Sequence, residues 1–369
     1  MKRSLILVLI GLISTQAHAI GSLNLDMRAD MLSQTYNDAA LAAPAAGQNN
    51  YRFVLQTARL DYKGTLNEAT TFRARIRFAA KTQGAMDFRD NTNPTLDFAY
   101  VTHKMSDFLK LTVGKLATEI GGYEGNTAGP DLYFTSEAYG GSVLSGTAPK
   151  LVGYSGLLYE TGAKLTFSFG DNDLSLVAFN LDAANDRGGT NQLTTTATTS
   201  ANSQDKNAFG VAFKNSLLDK TLGFMASYYT QATTPDNKND WTTVGVQWSP
   251  NPIVLQVDFT NINSAFGASP ASFKDVLTST TALVTYAVTE NFAAGVKAST
   301  SAETLDSATT PVKNKYMSYG LQAEFKPVAS EPYRYHLALN NRTMTPDAGD
   351  ARNLQEIIVG MRINADFLK

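Results

Sequence analysis

Apolar and polar residues alternate with a period of two along most of the chain. Between Thr70 and Phe78, the residues Phe72, Ala74, Ile76 and Phe78 fall on one face, and Arg73, Arg75 and Arg77 on the other. Side chains of an extended strand point alternately to opposite sides, so this segment reads as a strand with one apolar and one cationic side. The end of the chain follows the same logic. Ile357, Val359, Met361, Ile363, Ala365 and Phe367 share a face, and Gly360, Arg362, Asn364 and Asp366 share the other. Comparable alternation runs through 23–30, 243–248, 253–260, 317–326 and 333–340. Stripes of helical period are scarce, so the expected elements are strands.

The segments between strands alternate in length. Short turn-like ones are Lys63–Glu68, Gly170–Asp173, Ser249–Pro252, Thr289–Asn291 and Pro327–Pro332. Between them lie longer Gly, Ala, Thr, Asn and Asp-rich stretches: Asn37–Asn50, Ala79–Pro94, Leu116–Pro149, Ala183–Lys206, Gln231–Asp240, Asn263–Asp275, Ala302–Asn314 and Met344–Ala351. Each long stretch follows an odd-numbered strand, which implies about sixteen strands of roughly 10 residues. The Thr-rich run Leu193–Ser203 reads as an exposed loop. Nothing divides the chain, so one domain is expected over residues 20–369.

The N-terminus breaks the pattern. Lys2-Arg3 precedes the apolar run Leu5–Ile13, and Ala17-His18-Ala19 follows. A basic start, a short apolar stretch and a small-x-small site predict a cleaved secretory signal over residues 1–19. The run is too short to span a bilayer as a helix. The expected destination after cleavage near Ala19 is the bacterial cell envelope.

Composition narrows the function classes. The 369 residues include 31 Lys and Arg, 33 Asp and Glu, and no cysteine, with a formal charge of −2. This balance excludes a strongly basic nucleic-acid binder. Lack of cysteine excludes a disulfide scaffold, a thiolate metal site and a cysteine nucleophile. Mean hydropathy is −0.18, yet there are 16 Tyr and 19 Phe. Aromatics gather near strand ends (Tyr51, Phe53, Tyr62, Phe72, Phe78, Tyr100, Trp248, Phe292, Phe325, Tyr333, Phe367), as in the interfacial girdles of membrane barrels.

A closed all-β antiparallel transmembrane barrel unites these features. Its polar face lines water, its apolar face meets lipid, and closure leaves no strand edge unpaired in the bilayer. Strand parity directs Arg59, Arg73, Arg75 and Arg77 into the lumen. Arg28, Arg334, Arg342 and Arg362 join them near the barrel seam, because first and last strands pair on closure. The long segment Leu116–Pro149, the third loop, carries Glu119, Glu124, Asp131 and Glu137. Folded inward, it would set these acids opposite the arginine wall and narrow the bore, which is how pores discriminate among ions. The alternative reading of the arginines is structural, as ion pairs with Asp26, Asp30, Asp61 or Glu324.

Leu111-Thr112-Val113-Gly114-Lys115 followed by Thr118-Glu119-Ile120-Gly121-Gly122 resembles a motif of the general bacterial outer-membrane porins. In them the fifth strand ends near Gly-basic, and the third loop carries Glu-aromatic-Gly-Gly. The resemblance implies a sixteen-stranded homotrimer in the outer membrane, with the third loop folded into the channel facing a cluster of lumen arginines. It matches Glu119 to the loop glutamate lining the constriction, with Glu124, Asp131 and Glu137 as rivals. Ile120 stands in place of the aromatic. The terminal strand, with Phe367 before Leu368-Lys369, resembles the signal read by the outer-membrane assembly machinery.

The expected function is a water-filled channel for passive diffusion of small hydrophilic solutes and ions, with the lipid bilayer and outer-leaflet lipid as surroundings. A substrate-selective channel of anion or phosphate type is the second reading, and a non-conducting surface barrel for adhesion the third. Enzymology has little support: His103 sits near a strand end, and His336 faces the lumen without a serine partner. No cofactor motif or metal-ligand spacing is present. Asp171-Asn172-Asp173 reads as a hairpin turn, and Asp87–Asn91 as a solvated or subunit-latching loop.

Overall fold

The computed structural model describes residues 21–37, 49–78, 94–140, 158–181, 206–234, 237–266, 273–306 and 311–368. The expected signal segment 1–19, the Thr-rich run and Asp87–Asn91 lie outside them. Sixteen strands form one closed antiparallel barrel in sequence order. The first eight are β1 (Gly21–Tyr36), β2 (Asn49–Asn67), β3 (Thr70–Arg77), β4 (Thr95–Lys104), β5 (Leu109–Ala117), β6 (Tyr159–Phe169), β7 (Asn172–Leu181) and β8 (Lys206–Leu217). The remainder are β9 (Leu222–Thr234), β10 (Asn237–Trp248), β11 (Ile253–Phe266), β12 (Phe273–Ala287), β13 (Phe292–Asp306), β14 (Val312–Phe325), β15 (Tyr333–Pro346) and β16 (Arg352–Leu368). β1 and β16 close the sheet with Arg28 opposite Arg362 and Met31 opposite Val359.

Burial is inverted relative to a water-soluble protein. On β1, Asp26, Arg28, Asp30 and Gln34 are buried, whereas Ala29 and Met31 are exposed. On β15, His336 and Asn340 are buried, whereas Tyr335, Leu337 and Leu339 are exposed. The apolar side of every such strand looks outward, where only lipid makes burial of a hydrocarbon surface favourable. Trp248, Phe292, Phe325, Tyr335 and Phe367 lie exposed near the short-turn end, and Tyr51 and Phe53 toward the long-loop end. Tyr100 departs from the expected girdle. It aligns with Arg73, on the inward face.

Several strands are longer than the roughly 10 residues expected from barrel geometry. The outward apolar band on β16 runs from Ile357 to Phe367 and, at the usual rise and tilt, spans about 25 Å. Beyond it, Asn353 and Gln355 on β16, Thr343 on β15, and Lys313 and Lys315 on β14 face outward while ladder pairing continues. The sheet therefore extends past the hydrocarbon layer, since backbone pairing needs no apolar side chains. This corrects the expected loop Gln231–Asp240. β9 and β10 pair up to Thr234 and Asn237, so most of that span is strand.

Candidate functional site

The arginine wall is built on β2 and β3. Arg59 pairs with Arg77 across the ladder, and Asp61 with Arg75. Asp61 accepts from Arg73 Nη2 at 2.6 Å and from Arg75 Nη2 at 2.9 Å. Asp97 lies 2.7 Å from Arg77 Nη2 and 3.6 Å from Arg59 Nε. Four guanidiniums thus share two carboxylates, leaving a cationic surplus. Arg59 is buried, and its Nε and Nη1 donors lack acceptors among the described residues. Asp97 was not apparent from the period-two pattern. A register shift between Arg75 and Ile76 turns both Asp97 and Phe98 inward, as bulges do. The guanidiniums of Arg73 and Arg75 sit 4.8 and 4.4 Å from the Phe98 ring centroid, an orientation favoured by the ring quadrupole.

A second group straddles the barrel seam. Arg28, Arg362 and Arg334 occupy one register row across β1, β16 and β15. Carboxylates interleave with them. Arg28 donates to both oxygens of Asp30, at 3.0 and 2.7 Å. Arg362 Nε donates to Asp26 at 2.8 Å, and Arg334 lies 3.4 Å from Glu324. His336 Nε2 lies 2.8 Å from Asp30 Oδ1. Arg342 faces Glu356 at 3.4 Å, further toward the long-loop end. The structural reading of Asp26, Asp30, Asp61 and Glu324 as partners is therefore what the contacts show. The arginine wall is therefore interleaved with carboxylates, because like charges packed this closely require counter-charges.

The third loop contacts inward-facing residues from several parts of the barrel. It contains helix α1 (Gly122–Asn126), a 3-10 turn (Gly129–Asp131) and helix α2 (Glu137–Gly140). Gly121 and Gly122 both adopt left-handed backbone, with φ of 85 and 62°, a conformation costly for any residue with a Cβ. This turn aims the amides of Tyr123 and Glu124 at the two oxygens of Asp258 on β11, at 2.9 and 2.8 Å. Ile120 is fully buried in an apolar cluster with Leu116, Tyr229, Trp241 and Ile262. Farther on, Arg28 Nη1 donates to the carbonyls of Pro130 and Leu132, at 3.1 and 3.0 Å. The Tyr133 ring lies 4.8 Å from that of His336, and its hydroxyl donates to Glu324 at 2.5 Å.

The four loop acids part company. Asp131 joins the arginines, bonded to both Arg334 and Arg362. Glu124 meets Lys297 of β13 at 2.5 Å and accepts from the Ser136 amide at 2.8 Å. Glu119 lies 3.2 Å from Lys164 of β6 and 3.3 Å from Lys214 of β8. Glu137, at the start of α2, is buried. The expected opposition of the loop acids to the arginine wall is thus corrected for Glu119 and Glu124, which meet lysines instead. Burial works against ionisation of Glu124, but Lys297 and Ser136 outweigh it and hold the carboxyl below its ordinary range. Glu119 is likewise lowered, with Lys164 and Lys214 overcoming burial. Burial and the Asp258 charge push the Tyr123 phenol up to about 12.

Lys164, Lys214 and Lys297 were missed because single lysines in short alternating segments carry no local signal. Their parity with Thr112, Asp173 and Ser299 would have placed them inward. Near the short-turn end, a cavity of ≈ 490 Å³ is lined by Lys63, Arg73, Tyr100, Thr71 and Thr102, among others. Its walls offer cations and hydroxyl donors. Gly170 and Asp171 form the turn between β6 and β7, with Ser168 donating to Asp173 at 2.6 Å, as expected for a hairpin.

The sequence profile of the family described as phosphate-selective porin O and P matches residues 33–269. Among curated proteins, none matches the chain. Solved structures with similar folds include the outer membrane channel DcaP of Acinetobacter baumannii, 13% identical over 95% of this chain and 99% of that one, with a TM-score of 0.60. In-vitro folded OmpT, an outer membrane protein of Vibrio cholerae, is 12% identical over 94% and 98%, also at 0.60. A loop L8 deletion mutant of OmpT is 13% identical over 94% and 100%, at 0.58.

Proposed function

Because the chain belongs to the phosphate-selective porin O and P family, an outer-membrane channel family, we propose that its pore passes small anions, phosphate among them, in preference to cations. The observation that carries this reading is the cationic surplus on the β2–β8 side of the lumen. Arg59, Arg73, Arg75 and Arg77 share Asp61 and Asp97, and Lys164 and Lys214 share Glu119. A wall of one excess sign raises the local concentration of counter-ions and lowers their barrier to passage. Transport is passive, driven by the solute gradient.

The third loop lies within the lumen in this reading and sets the size limit. Its support is the set of inward side chains it touches, from Lys297 on β13 to Arg28 on β1. Asp131 and the arginines around it then border the narrow part, with Glu119 beside the lysines. A homotrimer, a signal cleaved near Ala19 and recognition of the last strand by the assembly machinery complete the proposal.

Planar-bilayer recording in a salt gradient tests it. The wild-type reversal potential should have the sign of anion selectivity. The triple variant Arg73→Ala, Arg75→Ala, Arg77→Ala should move it toward cation selectivity, since Asp61 and Asp97 then lose most of their partners. Cation selectivity in the wild type, or a potential unmoved by the variant, would sink the anion reading. Folded barrels that conduct nothing would instead favour a surface role.

A further inference from the structure

Almost every buried carboxylate on the inward face meets an arginine, a lysine, a histidine or a pair of amides. Among the described residues, Asp275 and Glu303 meet none of these. They sit on the neighbouring strands β12 and β13, at the long-loop end, and both are buried, with 2% and 5% of their surface exposed. Asp275 aligns with Leu305 and Glu303 with Leu277, which makes the two carboxylates diagonal neighbours on one face. They are near enough for the Glu303 charge to act on Asp275. Asp275 Oδ1 has no hydrogen-bond partner among the described residues.

The basic residues close in sequence cannot neutralise the pair. Lys274 and Lys313 are exposed and have the opposite parity, so they point outward. Lys297 shares the inward face of β13, but it lies six residues from Glu303, about 20 Å along the strand, and is committed to Glu124. The described groups in contact with the pair are neutral. Asn314 Nδ2 donates to Glu303 Oε2 at 2.9 Å, and the Tyr316 hydroxyl donates to the same oxygen. Ser264 on β11 stands opposite Asp275 and is buried as well.

We propose that Asp275 and Glu303 bind a hard divalent cation, Ca²⁺ or Mg²⁺, at the extracellular end of the lumen. Two adjacent buried carboxylates without a counter-charge are strongly unfavourable when both are ionised. A divalent ion cancels their charge and takes the unused Asp275 oxygen as a ligand. No group of three acidic or histidine residues is arranged around an ion among the described residues. The site is therefore a two-carboxylate one, completed by neutral oxygens such as the Ser264 hydroxyl and by water. Such water-rich coordination is usual for Mg²⁺ and accessible to Ca²⁺. The ion joins β12 to β13 just beyond the lipid band and leaves the arginine wall untouched.

The Tyr316 phenol beside Glu303 supplies the readout. The folded full-length barrel in detergent is titrated with Tb³⁺ while tyrosine is excited, and Ca²⁺ or Mg²⁺ is then added. Tyrosine-sensitised Tb³⁺ emission should appear, fall on addition of Ca²⁺, and be lost in Tyr316→Phe. Calorimetric titration of the wild type should give a Ca²⁺ dissociation constant on the order of 10⁻⁴–10⁻³ M, as for other extracellular sites. Asp275→Asn and Glu303→Gln should each weaken it at least about tenfold, with heat-modifiable gel migration showing that the variants are folded. No calorimetric binding in the wild type, or binding unchanged in both variants, overturns the proposal. A barrel that ignores Ca²⁺ but gains heat stability as the pH drops from about 8 to about 5 also overturns it, and assigns the pair a shared proton.

Discussion

Lys297 and Glu124 meet where water is nearly excluded, with side chains 5% and 4% exposed. Removing one member of such a pair strands the other charge, at a cost of about 3–5 kcal/mol, whereas removing both is far milder. Lys297→Met should therefore release the loop, and Lys297→Met with Glu124→Gln should largely restore it. Hydrogen exchange of the amides between 122 and 136 measures both. Acid should do the same as the single substitution. Glu124 and Glu119 are held below their ordinary value of 4.5, so their contribution to docking is complete above that value. It disappears as pH falls through the lower, docked-state value. Loop exchange should stay slow at about pH 5 and accelerate in stronger acid, and Glu124→Gln should blunt that response.

At the scale of elements, the loop's path depends on two glycines and one strand residue. A Cβ on Gly122 would lie 2.3 Å from Asp258 Oδ1, and its left-handed backbone adds roughly 1–2 kcal/mol of strain for any other residue. Gly122→Ala should undock α1 and change single-channel conductance, while leaving the barrel heat-modifiable on gels. Conductance equal to wild type would contradict the assigned role. Strands such as β3, β15 and β16 were legible because each keeps strict alternation across the whole bilayer. The partners of their arginines were not. Which carboxylate reaches Arg77 depends on a bulge at Asp97, and which acid reaches Arg334 depends on where a distant loop comes to rest. Glu119, Glu124 and Asp131 look alike in sequence, yet they dock on three different parts of the wall.

Viewed whole, the molecule turns its hydrocarbon outward over a band about 25 Å tall and its charges inward. An average over both faces gives the unremarkable mean hydropathy of −0.18. Depth within that band should govern tolerance. Met361→Arg, inside the outward apolar run of β16, should destabilise the barrel in vesicles by about 2–4 kcal/mol, and Gln355→Arg, above it, by only about 0–1. Equal costs at the two sites, measured by urea unfolding, would place the bilayer elsewhere.

The bond from Arg28 to the carbonyls of Pro130 and Leu132 has a consequence for assembly order. Arg28 is on the first strand, Asp131 touches Arg362 on the last, and the loop comes from a third of the way along the chain. That three-way junction can exist only after both chain ends have met. Contacts so distant in sequence are slow to form, so this stretch of the loop is seated only when the cylinder closes into a ring. It behaves as a rivet across the final joint. A chain stalled before its last strand docks would carry that rivet loose, with its acidic tip free in solvent.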